Sequence, residues 1–152
     1  MPSISMEAMF GLTTRFLVSV EGFNLGGWAR CQGLEVKFNP VRIIEGGNYN
    51  NEVVLPGEIK YPPVTLTRAM NPDGSTDSVQ TWLRKRAEEW INGYKSGGGG
   101  TATITLLHAH GGVVAKWMLR NVYPESWKGP DLDAMTLGVA TEQLVLAHEG
   151  FL

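Results

Sequence analysis

The chain has 152 residues, enough for one domain with its own core, and its 43% hydrophobic and 18% charged content fits an ordinary folded protein. A formal net charge of −2 gives no electrostatic reason to expect nucleic acid, whose binders concentrate Lys and Arg. The lone cysteine, Cys31, excludes an intramolecular disulfide framework, and no apolar run approaches the ~18–20 residues of a membrane helix.

The opening MPSISMEAMFG has neither a basic n-region nor a long apolar h-region, so no secretory signal is expected. Phe16, Val18 and Val20 alternate with Arg15, Leu17 and Ser19, which predicts a half-buried strand. The glycine-rich stretch from Gly22 to Gly27 reads as a turn or loop. Leu34, Val36 and Phe38 alternate with Glu35, Lys37 and Asn39, which predicts a second strand. The apolar parity then flips at Asn39-Pro40, so a bulge or bend is expected there, after which the chain enters another sheet.

Residues Val41 to Met70 read VRIIEGGNYNNEVVLPGEIKYPPVTLTRAM. Two β-rich runs, Val41 to Glu45 and Val64 to Ala69, flank a long Gly/Asn/Pro-rich arm with an apolar patch (Val53, Val54, Leu55) in its middle. Loops beyond ~12–15 residues are uncommon in compact domains unless functional or disordered, and disordered segments are poor in β-branched residues. The arm therefore calls for a cover from outside the local fold.

Asn71-Pro72-Asp73-Gly74 is a turn signal, and one helix follows. Asp77 is its expected N-cap, with Gln80 at the capping-box position, and Gly93 its stop. Val79, Trp82, Leu83, Ala87, Trp90 and Ile91 fall on one face at helical spacing, so both tryptophans are expected in the core. Gly97 to Gly100 is a flexible connector. Thr101 to Leu107 and Val113 to Arg120 form a hairpin with His108-Ala109-His110-Gly111-Gly112 at its tip. Pro124 to Pro130 reads as loop and Leu137 to Ala147 as the last strand. The sum is a mainly β protein: an antiparallel sandwich or barrel of about six to eight strands with one packed helix.

Chemistry finds little footing. His108 and His110 point to one side of an extended segment and could ligate zinc, but a structural or catalytic site needs three or four convergent ligands, and the plainer reading is a solvated hairpin tip. Cys31 is expected to be a buried thiol. Neither Gly97–Gly100 nor Gly46-Gly47 opens a helix, so neither is a phosphate loop. Arg84-Lys85-Arg86, with Glu88 and Glu89 one turn on, reads as an exposed face laced by ion pairs, or a docking surface. No catalytic residue, metal site or cofactor is assigned.

Glu45-Gly46-Gly47-Asn48, Leu55-Pro56-Gly57, Tyr61-Pro62 and Thr65-Leu66-Thr67-Arg68, in that order, resemble the tail-tube protein family of contractile bacteriophages, which also supplies the inner tube of extracellular contractile injection systems. Phe16-Leu17-Val18, Gly33-Leu34-Glu35, the Trp82/Trp90 helix and the ending from Glu142 to Gly150 fit the same pattern, so the resemblance covers nearly the whole chain as one domain, with residues 41–63 as an extended arm. The resemblance implies hexameric rings stacked into a rigid hollow tube, driven through a target envelope by a contractile sheath and conducting DNA or protein cargo. Implied partners are the chain itself, a sheath protein, baseplate or tube-initiator proteins, a terminal cap and the cargo. Assembly is expected in the cytoplasm, as part of a virion or a released phage tail-like particle.

In such a tube residues 43–59 of the arm meet the next ring, through Ile44, Glu45, Gly46, Gly47, Asn48, Tyr49, Val53, Val54, Leu55, Pro56 and Gly57. Thr65, Thr67, Thr101, Thr103 and Thr105 are candidates for the lumen wall, though they equally fit the solvent face of a strand. Arg84, Lys85 and Glu88 are candidates for sheath contact. Edge strands, including the first and last, are expected to pair with neighbouring protomers. Competing readings are a tube initiator or cap paralogue, a type VI-like hexameric ring protein, a ligand-binding β-sandwich, and a zinc-dependent enzyme using His108 and His110.

Overall fold

The computed structural model describes residues 15–44, 46, 51–70, 74–93, 99–135 and 138–152. Nine strands and one helix occur among them: β1 Arg15–Val20, β2 Phe23–Trp28, β3 Arg30–Gln32, β4 Val41–Ile44, β5 Glu52–Leu55, β6 Val64–Ala69, α1 Ser75–Ile91, β7 Gly100–Leu107, β8 Val113–Lys128 and β9 Thr141–Ala147. Seven strands form one antiparallel ladder in the order β2-β1-β7-β8-β9-β6-β3, while β4 and β5 make a separate hairpin.

The ladder folds over at two corners. β8 pairs with β7 along its first part, as far as Val122, and with β9 from Tyr123 to Lys128. A register shift between Pro124 and Ser126 falls in that second part. Proline cannot donate to a ladder and is tolerated at such an irregularity. The stretch that reads as a loop in sequence is thus the second half of a long strand. At the other corner only Ala29 separates β2 from β3, and its N–H donates to the Thr67 carbonyl at 3.1 Å. Two half-sheets therefore face each other as a sandwich, and the ladder is not closed into a barrel among the described residues.

Inward side chains of both halves meet in one core. Val18, Val20, Ile104, Leu119 and Val122 come from the first half, and Val64, Leu66, Leu144 and Leu146 from the second. Burying each such side chain is worth about 1.5–3 kcal/mol. β1 and β9, expected at edges, both lie inside the ladder; the edges are β2 and β3.

β2 corrects the reading of Gly22 to Gly27 as a turn. Val18 pairs with Gly26 but Ser19 with Asn24, so Leu25 is an extra residue on β2. Gly26 has φ +79°, the left-handed conformation of a glycine bulge. A Cβ there would also sit 2.6 Å from the Ser75 Cβ, so the same glycine admits the start of α1. The expected strand from Leu34 to Phe38 is reduced to a single bridge, Lys37 to Lys60. The expected bend is present, with Asn39 at φ +37°.

The helix begins at Ser75 rather than after Asp77. Its N-cap is Gly74, in a left-handed conformation and without a side-chain cap. Asn71, Pro72 and Asp73 lie outside the described residues. The Asn92 N–H bonds the Glu88 carbonyl at 3.0 Å, and Gly93 follows with φ +64°, the expected C-terminal stop. The buried stripe is Ser75, Val79, Trp82 and Arg86. Trp82 is fully buried, but Trp90 is 68% and Ile91 83% exposed, and Ala87 is exposed too. The stripe is rotated from the apolar pattern because it ends on a cation. Arg86, expected on the surface, is buried in an ion pair with Glu21 and bonds Glu89 at 3.0 Å. Trp90 lies one turn further on, with its ring edge-on to Tyr123 at 6.1 Å.

A buried polar cluster ties helix to sheet. The Arg68 Nε donates to Glu142 Oε1 at 2.5 Å, and its Nη1 donates to the Leu25 and Gly27 carbonyls at 2.6 and 3.2 Å. Its guanidinium stacks over Trp28 at 3.9 Å. Glu142 also accepts from Thr76 Oγ1 and Trp127 Nε1, each at 3.1 Å. Such a pair adds modest net stability but is costly to break, because one charge would remain buried alone.

Candidate functional site

The arm between β3 and β6 is a β-hairpin rather than a loop. Val41 pairs with Leu55, Arg42 with Val54, Ile43 with Val53 and Ile44 with Glu52. Its base is closed by reciprocal bonds between Lys37 and Lys60, N–H to carbonyl at 2.9 and 2.8 Å. Gly57 lies so close to the Asn39 carbonyl that a Cβ would come within 1.7 Å of that oxygen, so only glycine fits there. Glu45, Gly47, Asn48 and Tyr49 lie outside the described residues. Gly46 and Pro56 are exposed.

Strand geometry splits the patch that reads as one run in sequence. Directly opposed residues share a face, and successive residues alternate. Val41, Ile43, Val53 and Leu55 therefore form one wholly aliphatic face. Arg42, Ile44, Glu52 and Val54 form the other, where Arg42 and Glu52 make an ion pair at 3.4 Å. All eight residues are exposed. The four residues of the aliphatic face are 37–49% exposed, and Phe38 and Ile59 beside the base are 54% and 53% exposed. The segment assigned to the next ring runs from Ile43 to Ile59, so Ile43 and Ile59 stand at its ends, while Val41 and Phe38 are missing from it. The signal for Val41 was present: a β-prone run on each side of a Gly/Asn-rich turn, at hairpin spacing.

The hairpin projects from the sandwich, and among the described residues none of its side chains belongs to the core cluster or packs against it. The C-terminal segment braces the chain just beyond its base. His148 Nε2 donates to the Pro62 carbonyl at 3.1 Å, and its Nδ1 accepts the Gly150 N–H at 3.1 Å, which fixes the neutral Nε2–H tautomer. Tyr61 packs edge-on to Phe151 at 5.3 Å. Burial holds the His148 pKa below the ordinary imidazole value. The nearby Arg120 guanidinium acts in the same direction, against the bond to Pro62.

The other candidate positions are dispersed. Thr101, Thr103 and Thr105 face outward from β7, where Thr105 stands between Leu17 and Lys116, and Thr103 between Ser19 and Met118. Thr65 and Thr67 face outward from β6, opposite Gln32 and Arg30. The two half-sheets share one core, so these threonine groups lie on opposite sides of the protein and cannot line one wall together. Arg84, Lys85 and Glu88 are exposed on α1, with Lys85 over the Phe23 ring at 5.5 Å.

His108 and His110 sit at the β7–β8 tip with ring centroids 5.9 Å apart, and the His108 Nδ1 accepts the His110 N–H. His148 is held elsewhere, and no cluster of three or more metal-ligating side chains occurs among the described residues. Burial pushes the Cys31 thiol up to about 11, which keeps it protonated and a poor nucleophile. Among the described residues no helix is long and apolar enough to cross a membrane.

Residues 12–152 match the family model of the T4-like virus tail tube protein gp19. A sequence search of curated proteins gave no match. Among solved structures, the chain is similar to one in the sheath–tube complex of an extracellular contractile injection system (PVC, extended state), with 21% identity, TM-score 0.64 and coverage of 91% of this chain and 86% of that one. It is similar to a chain of the anti-feeding prophage baseplate, 6-fold symmetrised, at 22% identity, TM-score 0.65 and coverage of 90% and 89%. It is also similar to a chain of the anti-feeding prophage tube-terminating cap, at 23% identity, TM-score 0.63 and coverage of 90% and 85%.

Proposed function

Because the chain belongs to the T4-like virus tail tube protein family, we propose that it is a structural subunit of the inner tube of a contractile injection apparatus, with the β4–β5 hairpin as its ring-to-ring contact. The supporting observation is the aliphatic hairpin face of Val41, Ile43, Val53 and Leu55, exposed and unsupported by the chain's own core. An exposed apolar β-hairpin is an aggregation hazard unless something covers it. A second copy stacked along the axis supplies that cover. Head-to-tail contacts of this kind close into rings around an axis or run on as filaments along it, and a tube uses both. Each contact can be weak, since the copies around one ring engage together.

The tube is built of hexameric rings inside a sheath, and the exposed helix face of Arg84, Lys85 and Glu88 meets the sheath. Caps and baseplate proteins close its ends. Its role is to conduct cargo rather than to catalyse a reaction. The arm is tested by Val53→Asp, which places a charge on the aliphatic face. Val54→Asp is a weaker test, because Val54 stands opposite Arg42, which can pair with the new carboxylate. Val53→Asp is expected to leave the protomer folded and to stop elongation, as seen by negative-stain electron microscopy. Tubes of wild-type length would rule the arm out as the stacking contact.

A further inference from the structure

The outward face of the half-sheet β2-β1-β7-β8 carries charge of one sign only. Its outward strand positions include Arg15 on β1 and Lys116 and Arg120 on β8, and no Asp or Glu. Arg120 is committed locally, since its Nη1 donates to the Leu152 carbonyl. Arg15 and Lys116 have no ion-pair partner among the described residues, as is also true of Arg30, Arg84, Lys85 and Lys128 elsewhere on the surface, whereas Lys37, Arg42, Lys60, Arg68 and Arg86 each hold a carboxylate. The acidic Glu149 follows β9; its N–H donates to the Arg120 carbonyl at 2.9 Å and its carbonyl accepts from Arg120 Nη2 at 3.5 Å, while its carboxylate makes no ion pair with Arg120. The opposite half-sheet also carries outward cations, Arg30 on β3 and Lys128 on β8, but there the exposed Glu125 stands at the β8 irregularity, so its charge is mixed.

Between the two free cations lie hydroxyls and exposed aliphatic side chains. Lys116 is paired across Thr105 with Leu17, which is 40% exposed, and Met118, at 56%, lies across Thr103 from Ser19. With strands ~4.8 Å apart and ~3.4 Å per residue, Arg15 and Lys116 are about 12 Å apart, more than a Debye length at physiological salt. They barely repel each other and act as separate points of attraction. No outward position carries an aromatic ring on which a base could stack, which single-stranded nucleic acid binders use. Cations alternating with hydroxyls and aliphatic groups suit a polypeptide that offers carboxylates and some apolar surface.

We infer that this face is the lumen wall and that it takes acidic polypeptide cargo. The inference rests on the tube reading for the position of the face, though not for its charge. A few weak, well-separated contacts per subunit, repeated along a bore, hold a mobile polyanion inside without anchoring it at any one ring.

The test uses the full chain, as soluble protein and as assembled tubes, with three fluorescent probes: poly-L-glutamate, poly-L-lysine and a duplex oligonucleotide. Poly-L-glutamate is expected to bind both forms and to be released at about 0.5 M salt. Arg15→Glu/Lys116→Glu is expected to bind about tenfold more weakly, with Arg15→Gln/Lys116→Gln in between. Circular dichroism melts of both variants confirm that the loss is not unfolding. Micrographs of the same samples separate the two readings: absence of tubes counts against the tube reading, while binding to the soluble chain still judges the face. Equal binding of both polypeptides, no effect of charge reversal, or tighter binding of the duplex overturns the cargo class. Binding by the soluble chain that vanishes on tube formation overturns the lumen placement, since a neighbouring subunit then covers the face.

Discussion

The Arg68–Glu142 cluster and the β4–β5 hairpin are opposite cases within one chain. At the first, two charges are buried and the protein supplies nearly every partner itself: two backbone carbonyls, an indole N–H, a hydroxyl and a tryptophan face. At the second, four aliphatic side chains stand exposed and none of them packs on the core cluster among the described residues. Folding is therefore self-sufficient around the helix–sheet junction, whereas the hairpin face lies exposed and, on the proposed reading, is completed by a neighbouring copy. Perturbing the first region should change stability with assembly following passively. Perturbing the second should change assembly alone.

The largest expected effect is at the junction. Glu142→Ala leaves Arg68 buried without its carboxylate and should cost about 3–5 kcal/mol in urea unfolding of the soluble chain. Trp82→Ala, which empties a fully buried site, should cost a similar 3–5 kcal/mol. A loss below about 1 kcal/mol for Glu142→Ala would mean that the cluster is solvated and the contrast is overdrawn. At the hairpin, Val53→Asp or Ile43→Asp should shift unfolding by no more than about 0.5 kcal/mol while abolishing elongation.

The His148 brace sharpens the comparison because it joins the C-terminal strand to the base of the arm. Its folded-state pKa is depressed, so below the unfolded value near 6.5 the unfolded chain binds the proton more readily. Stability from this group is present above that value and is lost as pH falls towards and through the folded pKa. Protonation would also turn an N–H against the Gly150 N–H. The protection factors of the Glu149 and Gly150 amides, taken relative to the intrinsic exchange rate at each pH, should fall on acidification from neutral pH, and His148→Gln should flatten the profile. The smallest effect is expected for Trp90→Ala, within about 0.5 kcal/mol, since Trp90 is mostly in water; a cost like that of Trp82 would contradict its exposure.

Much of this was legible in the sequence where local rules and tertiary context agree. The alternation from Arg15 to Val20, the hairpin around His108–Gly112 and the helix containing Trp82 follow from side-chain period alone. β2 was hidden because Gly26 serves a bulge and a close helix approach, and both look like a turn in composition. The second half of β8 was hidden by Pro124, tolerated beside a register shift. Arg86 misled the helix face, because its partner Glu21 is distant in sequence and no periodicity announces a buried cation. The resemblance pointed to the arm as a segment, yet strand pairing was needed to divide Val53 and Leu55 from Val54. Lumen assignments were the least legible, since a threonine row looks the same on either side of a sandwich.

The central claim is that the aliphatic hairpin face is completed by the next ring. Its most direct test is negative-stain electron microscopy of the purified chain beside Val53→Asp, at equal concentration and with matched circular dichroism. The wild type should give stacked tubes, and the variant folded protomers or unstacked rings. Tubes of equal length from both would contradict that claim.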